Sequence, residues 1–182
     1  MNKLILTATC ALLAFPAMAQ SLEQKAQSVG EKTGVNQIAG ISPTTSDFVT
    51  KAAMSDMFEI KAGKLAEQKG DAATKSFADK MVTDHEKTFN ELKSALKGKA
   101  PDALLPVDLD SAHQKKLDDL AALSGADFTK KYSEEQVSAH EDAVSLFDRY
   151  AKGGDDPTLK DWAGKTLPDL QHHLVMAKAL DK

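Results

Sequence analysis

Residues Ala78–Leu96 read ADKMVTDHEKTFNELKSAL. Within them Ala78, Val82, His85, Phe89, Leu92 and Leu96 follow one another at intervals of 4, 3, 4, 3 and 4. That interval pattern is the buried stripe of an α-helix, because 3.6 residues per turn return those positions to one face. Every member of the stripe is apolar except His85, near the middle. A single inward histidine is ordinary. The other long segments of this chain repeat the feature, and that repetition makes it informative.

Three further stripes can be traced outward from this one. Phe48, Ala52, Ser55, Glu59, Ala62 and Ala66 share a face of a segment running from the Ser46-Asp47 start signal to about Lys69. Glu59 sits among small residues, and Gly63 one turn on has no side chain to fill the space beside it. A buried carboxylate is costly unless paired, hydrogen-bonded or metal-bound, so Glu59 should have a partner. Phe128, Tyr132, Gln136, His140, Val144, Phe147 and Ala151 form the stripe of a segment from about Asp127 to Lys152. Leu159, Ala163, Thr166, Leu170, His173, Ala177 and Leu180 form that of a last segment starting at Asp156-Pro157, where proline suits the first turn. Pro168 interrupts this last segment and predicts a kink, or neighbours that tolerate it. Asp71 caps the helix that contains Ala78–Leu96. A shorter amphipathic helix, Ser111–Leu123, follows a connection holding Pro101 and Pro106, and its His113 is expected to face solvent.

Four long helices and one short crossover helix make an all-α, ferritin-like four-helix bundle over residues 47–182. Residues 20–46 are weakly patterned, broken by Gly30, Gly34, Gly40 and Pro43, and read as a flexible N-terminal arm with a frayed helix near Leu22–Val29. Residues 1–19 read as an export signal. Lys3 supplies the positive start, Leu4–Phe15 an apolar run too short to span a bilayer, and Ala17-Met18-Ala19 a small-x-small cleavage pattern. Cleavage after Ala19 would deliver the protein to the periplasm. It would also remove Cys10, the only cysteine, leaving no disulfide and no thiolate ligand.

Removing Lys3 takes the net charge from −4 to −5. An acidic protein is a poor partner for nucleic acid or an anionic membrane surface, and no transmembrane segment is read in the mature chain. An envelope protein partner stays open. No phosphate-binding loop, GxSxG, HExxH or CxxCH motif is present, so an enzyme is the least supported class.

The four stripes carry Glu59, His85, His140 and His173, each about 12 to 17 residues into its helix and hence within a turn or two of one level at 1.5 Å rise per residue. One carboxylate and three imidazoles converging in a dry interior make a metal-ligand set, and its nitrogen content suits zinc, copper or iron over magnesium or calcium. The same four groups, completed by Tyr132 and Gln136, can instead form a metal-free hydrogen-bonded network with Glu59 charged and one histidine protonated. Asp84, Glu141 and His172 are sequence neighbours of the histidines but point about 100° away from them on a helix, so they read as supporting or solvated groups rather than ligands. Met54, Met57, Met81 and Met176 offer thioethers that would favour copper(I), though methionine at helical spacing is usually core filler.

Four blocks also resemble a family. FVTKAAMSDMFEIKAGKLA, FADKMVTDH, DFTKKYSEEQVSAH and LPDLQHHL, within Asp47–Leu180, resemble bacterial exported proteins known only as a domain of unknown function. The resemblance implies a ferritin-like bundle and an envelope location, and no established activity. Ferritin-like di-iron sites use Glu-x-x-His pairs. Here Val82, Val137 and Leu170 stand three residues before the seam histidines. The residues therefore favour a single ion over a carboxylate-bridged pair.

Overall fold

The structure, a computed structural model, describes residues 15–98 and 105–181. Most of the expected export signal, residues 1–14, and part of the crossover, including Pro101, lie outside the described residues. The described elements are α1 (Phe15–Lys32), α2 (Val35–Ala39), α3 (Thr45–Lys69), α4 (Ala72–Leu96), α5 (Ser111–Ala121), α6 (Gly125–Gly153) and α7 (Pro157–Leu180). No described helix is long and apolar enough to cross a membrane.

The long helices start and stop where local chemistry directs. Asp71 accepts the Thr74 amide at 2.8 Å, and Asp156 accepts those of Thr158 and Leu159 at 2.9 and 3.0 Å. The cap of α3 is Thr44, two residues before the expected Ser46. Its hydroxyl accepts the Asp47 amide at 3.1 Å and donates to the Asp47 carboxylate at 2.7 Å. α7 runs on through Pro168.

α3 and α4 form one antiparallel hairpin, α6 and α7 the other, with α3 beside α6 and α4 beside α7. The end of α3, the starts of α4 and α6 and the end of α7 surround one cleft lined by Lys69, Asp71, Gly125 and Leu180. At the opposite end, Thr45 at the start of α3 meets the Tyr150 hydroxyl of α6 at 2.6 Å. α4 and α6 therefore run the same way, and the chain between them, including α5, returns along the length of the bundle. A single long crossover of this kind is the ferritin-type connection.

Two apolar clusters fill the interior. One gathers Phe48, Leu92, Leu96, Phe147, Tyr150 and Leu159 towards the start of α3. The other gathers Phe58, Phe77, Met81, Phe128, Tyr132 and Ala177 towards its end. On α4, α6 and α7 the inward histidine falls between the residues given to one cluster and those given to the other. A polar layer thus crosses the bundle at one level. Met81 and Met176 belong to, or pack on, the second cluster, which is the filler role. Gly63 lets α3 and α4 approach closely: a Cβ there would lie 2.6 Å from Val82 Cγ2.

Residues 20–46, read as a weakly patterned arm, carry most of α1 and all of α2. Gly34 and Gly40, both at positive φ, bracket α2. Polar contacts tie this segment to the bundle, among them Ser28 Oγ donating to Asp47 Oδ2 at 2.6 Å. Glu31, 4% exposed, takes Arg149 Nη1 and Nη2 at 2.8 and 3.0 Å and Lys51 Nζ at 3.0 Å. Arg149 Nη1 also donates to the Ile41 carbonyl at 2.8 Å.

Candidate metal centre

α4, α6 and α7 each contribute one histidine to the polar layer. His85, His140 and His173 are 2, 1 and 3% exposed. Their ring centroids form a nearly equilateral triangle with sides of 5.5, 5.6 and 5.5 Å. One ring nitrogen from each lies within 4.8 Å of the others.

Each ring is held from behind by an oxygen. His85 Nδ1 lies 2.8 Å from Asp56 Oδ1, His140 Nδ1 2.8 Å from the Gln136 carbonyl, and His173 Nε2 2.8 Å from Asp84 Oδ2. A carbonyl and a carboxylate only accept, so the hydrogen sits on the anchored nitrogen in all three rings. The opposite nitrogens, Nε2 of His85 and His140 and Nδ1 of His173, are left to present lone pairs inward. The Nε2 atoms of His85 and His140 are 3.4 Å apart, and His173 Nδ1 is buried with no hydrogen-bond partner. At that distance two lone pairs repel, whereas a proton on one nitrogen or a metal ion between them makes the contact favourable.

The His85–His140 edge suits a metal ion. With zinc–nitrogen bonds of about 2.0–2.1 Å, a tetrahedral N···N edge is about 3.3–3.4 Å and bound imidazole centroids stand about 5 Å apart. The supporting oxygens match the usual outer partners of metal-bound histidine, where a carboxylate or carbonyl fixes the tautomer and raises ligand basicity.

Burial and charge act differently on the three rings. Burial works against a charged His85, but the Asp56 hydrogen bond and the charges of Asp56, Glu59 and Asp84 together outweigh it and hold the His85 pKa above its ordinary value. Burial, helped by the charge on His85, pushes His140 down to about 3. Burial also lowers His173, against the pull of Asp84. The carboxyls of Asp56 and Glu59 are both raised, chiefly by burial.

Glu59 is not part of the three-nitrogen group. Its Oε2 accepts from Gln136 Nε2 at 2.6 Å, and its Oε1 is buried without a partner. The sequence brought out the three histidines, Glu59, Gln136 and Tyr132, but not Asp56. That residue stands one position off the α3 stripe, and the available clue was its i, i+3 spacing from Glu59 on a helix otherwise small and apolar there. Asp84 supports His173 on a different helix, not its neighbour His85. Of the other polar neighbours, Glu141 pairs with Lys178 at 2.7 Å, His172 is exposed, and His113 is partly exposed and bonded to Asp110 at 2.8 Å.

Residues 30–180 match the model of a family described as a domain of unknown function (DUF4142), and the chain belongs to that family. No curated protein and no solved structure matches the chain.

Proposed function

We propose that this DUF4142 protein is exported to the periplasm and there binds one transition-metal ion in the middle of its bundle through His85, His140 and His173. Glu59 and Asp56 supply negative charge beside the ion. The observation that carries the reading is the common orientation of the three rings. Each is tethered through one nitrogen to an acceptor, and one nitrogen of each ring lies within 4.8 Å of the others. A nitrogen-rich set of this kind suits zinc, copper or iron. The export signal read at residues 1–19 supports the location.

A second reading has one specific support, the raised pKa of His85. A proton on its Nε2 would donate to His140 and relieve the facing lone pairs without metal. The bundle would then be a metal-free envelope protein with a polar network at its centre, acting through a protein partner. This reading leaves His173 Nδ1 unused.

Elemental analysis of protein purified from the periplasm, without chelator or affinity tag, separates the two. The metal reading expects about one equivalent of zinc, copper or iron by the single-site geometry, lost in each of His85→Ala, His140→Ala and His173→Ala. Absence of metal, together with no thermal stabilisation by zinc, copper(II) or iron(II), would sink it.

A further inference from the structure

We infer that the ion keeps its fourth position for a small exchangeable ligand, water or a small anion, and that Glu59, Gln136 and Tyr132 form the pocket that holds this ligand. The inference rests on the metal reading and deepens it, since a closed four-ligand site can only store an ion or brace the fold, whereas an open one can act on a bound molecule.

The argument starts from three polar atoms. Glu59 Oε1, Gln136 Oε1 and the Tyr132 hydroxyl are all buried, and none has a hydrogen-bond partner. They belong to one neighbourhood. Gln136 donates to Glu59 Oε2 at 2.6 Å, and Tyr132 precedes Gln136 by one turn on the inward face of α6. Gln136 also lends its carbonyl to His140 Nδ1, so this pocket and the histidine triangle share a residue. Buried polar groups are seldom left unpaired, and three in one place call for a common partner.

Their hydrogen-bonding characters say what that partner is. Glu59 Oε1 and Gln136 Oε1 accept. The Tyr132 hydroxyl donates, since burial and the nearby Glu59 charge keep the phenol protonated. A water molecule donates twice and accepts twice. It can therefore donate to both oxygens, accept from the phenol, and keep one lone pair for a metal ion. Direct ligation by Glu59 would answer only one of the three unpaired atoms.

The surroundings limit the size of the ligand. Phe58, Phe77, Met81 and Phe128 pack around Tyr132 in the second apolar cluster. The two cavities described, one at the end of the bundle and one over the outer α3–α6 groove, are not lined by any of the three histidines. The proposed ligand is accordingly one of a few atoms.

Cobalt(II) can report on the site, because its visible bands depend on the identity and number of ligands, and cobalt(II) accepts imidazole nitrogen. The probe is azide, titrated into cobalt-loaded protein. The bands should shift with saturation as azide replaces water. Glu59→Gln should retain cobalt and bind azide about tenfold more tightly, since a negative neighbour is removed. Tyr132→Phe, which keeps the ring, should retain cobalt and bind azide more weakly, because the donor is lost. Bands indifferent to azide, or loss of cobalt in Glu59→Gln when Tyr132→Phe still binds it, would overturn the inference and make Glu59 itself the fourth ligand. Failure of the unaltered protein to bind cobalt or zinc would instead remove the metal reading and this inference with it.

Discussion

Asp56→Asn tests the logic of the centre at a residue that touches no ion. The Asp56 carboxylate accepts from His85 Nδ1 at 2.8 Å and from the Thr88 hydroxyl at 2.9 Å. Asparagine preserves the shape and one acceptor but removes the charge that makes His85 a stronger base. Outer partners of metal-bound histidine are generally worth about 10- to 100-fold in affinity. Consider zinc at one hundred times the wild-type dissociation constant. Binding to the folded state alone then stabilises the wild type by about 2.7 kcal/mol. A 10- to 100-fold weaker site keeps about 1.4 to 0.4 kcal/mol at the same zinc concentration. For a chain of 182 residues, 1 kcal/mol moves the melting temperature by about 2–4 °C, so the zinc-induced rise should fall from about 5–11 °C to about 1–6 °C. The assay is thermal unfolding with and without zinc. Only the increment is compared, so any effect of Asp56→Asn on the metal-free fold cancels. Asp142→Asn, which alters an exposed carboxylate bonded to Gln37 at 3.3 Å, should leave the increment unchanged. Equal increments in wild type and Asp56→Asn would refute the claim that Asp56 tunes a metal ligand.

Other perturbations follow from the same contacts. His140 titrates at about 3 when folded against 6.5 when unfolded, so the unfolded chain takes up a proton that the folded one refuses. Chelator-treated protein should therefore lose about 1.4 kcal/mol of stability per pH unit from this residue as pH falls below about 6.5. Urea unfolding of His140→Gln between about pH 6 and pH 4 should show a slope shallower by that amount; an unchanged slope counts against a neutral buried His140. Asp84→Asn should weaken zinc binding as Asp56→Asn does, about 10-fold or more, because Asp84 holds His173; calorimetric titration reads this, and wild-type affinity would contradict it. Glu31→Gln should cost about 3–5 kcal/mol in chemical unfolding, since it leaves the buried Arg149 without its counter-charge; a loss well under that would mean Lys51 and Arg149 do not depend on Glu31. Gly63→Ala should cost about 1–3 kcal/mol, because its methyl would press on Val82.

The parts of the structure that sequence reading reached are those set by periodicity along one helix. The 4, 3 spacing places His85, His140 and His173 inward, and the caps at Asp71 and Asp156 start α4 and α7 where expected. The parts it missed depend on how one helix is turned against another. Asp56 meets His85 only because α3 and α4 pack with a particular rotation, which no single-helix pattern encodes. Asp84 is adjacent to His85 in sequence, yet the 100° turn between neighbours carries it to the α4–α7 side, where His173 waits. The N-terminal segment escaped for a different reason. Its contacts with the bundle include Glu31 against Arg149 and Lys51, Ser28 against Asp47 and Gln37 against Asp142, and such polar contacts leave no stripe to read.

The composition of the layer between the two apolar clusters supports the proposed metal site over a purely structural layer. Asp56, Glu59, His85, Gln136, His140 and His173 are all buried at the level where four stripes of leucine and alanine would have packed with no desolvation cost. Burying polar and ionisable groups is at best neutral for folding unless every one is satisfied. Here Asp56 Oδ2, Glu59 Oε1, Gln136 Oε1 and His173 Nδ1 are not satisfied by protein. A hydrogen-bonded network selected for stability or for register would close on itself. This one leaves acceptors of Asp56, Glu59, Gln136 and His173 unpaired, while one nitrogen of each of the three rings lies within 4.8 Å of the others. That is the charge and geometry a bound cation would complete.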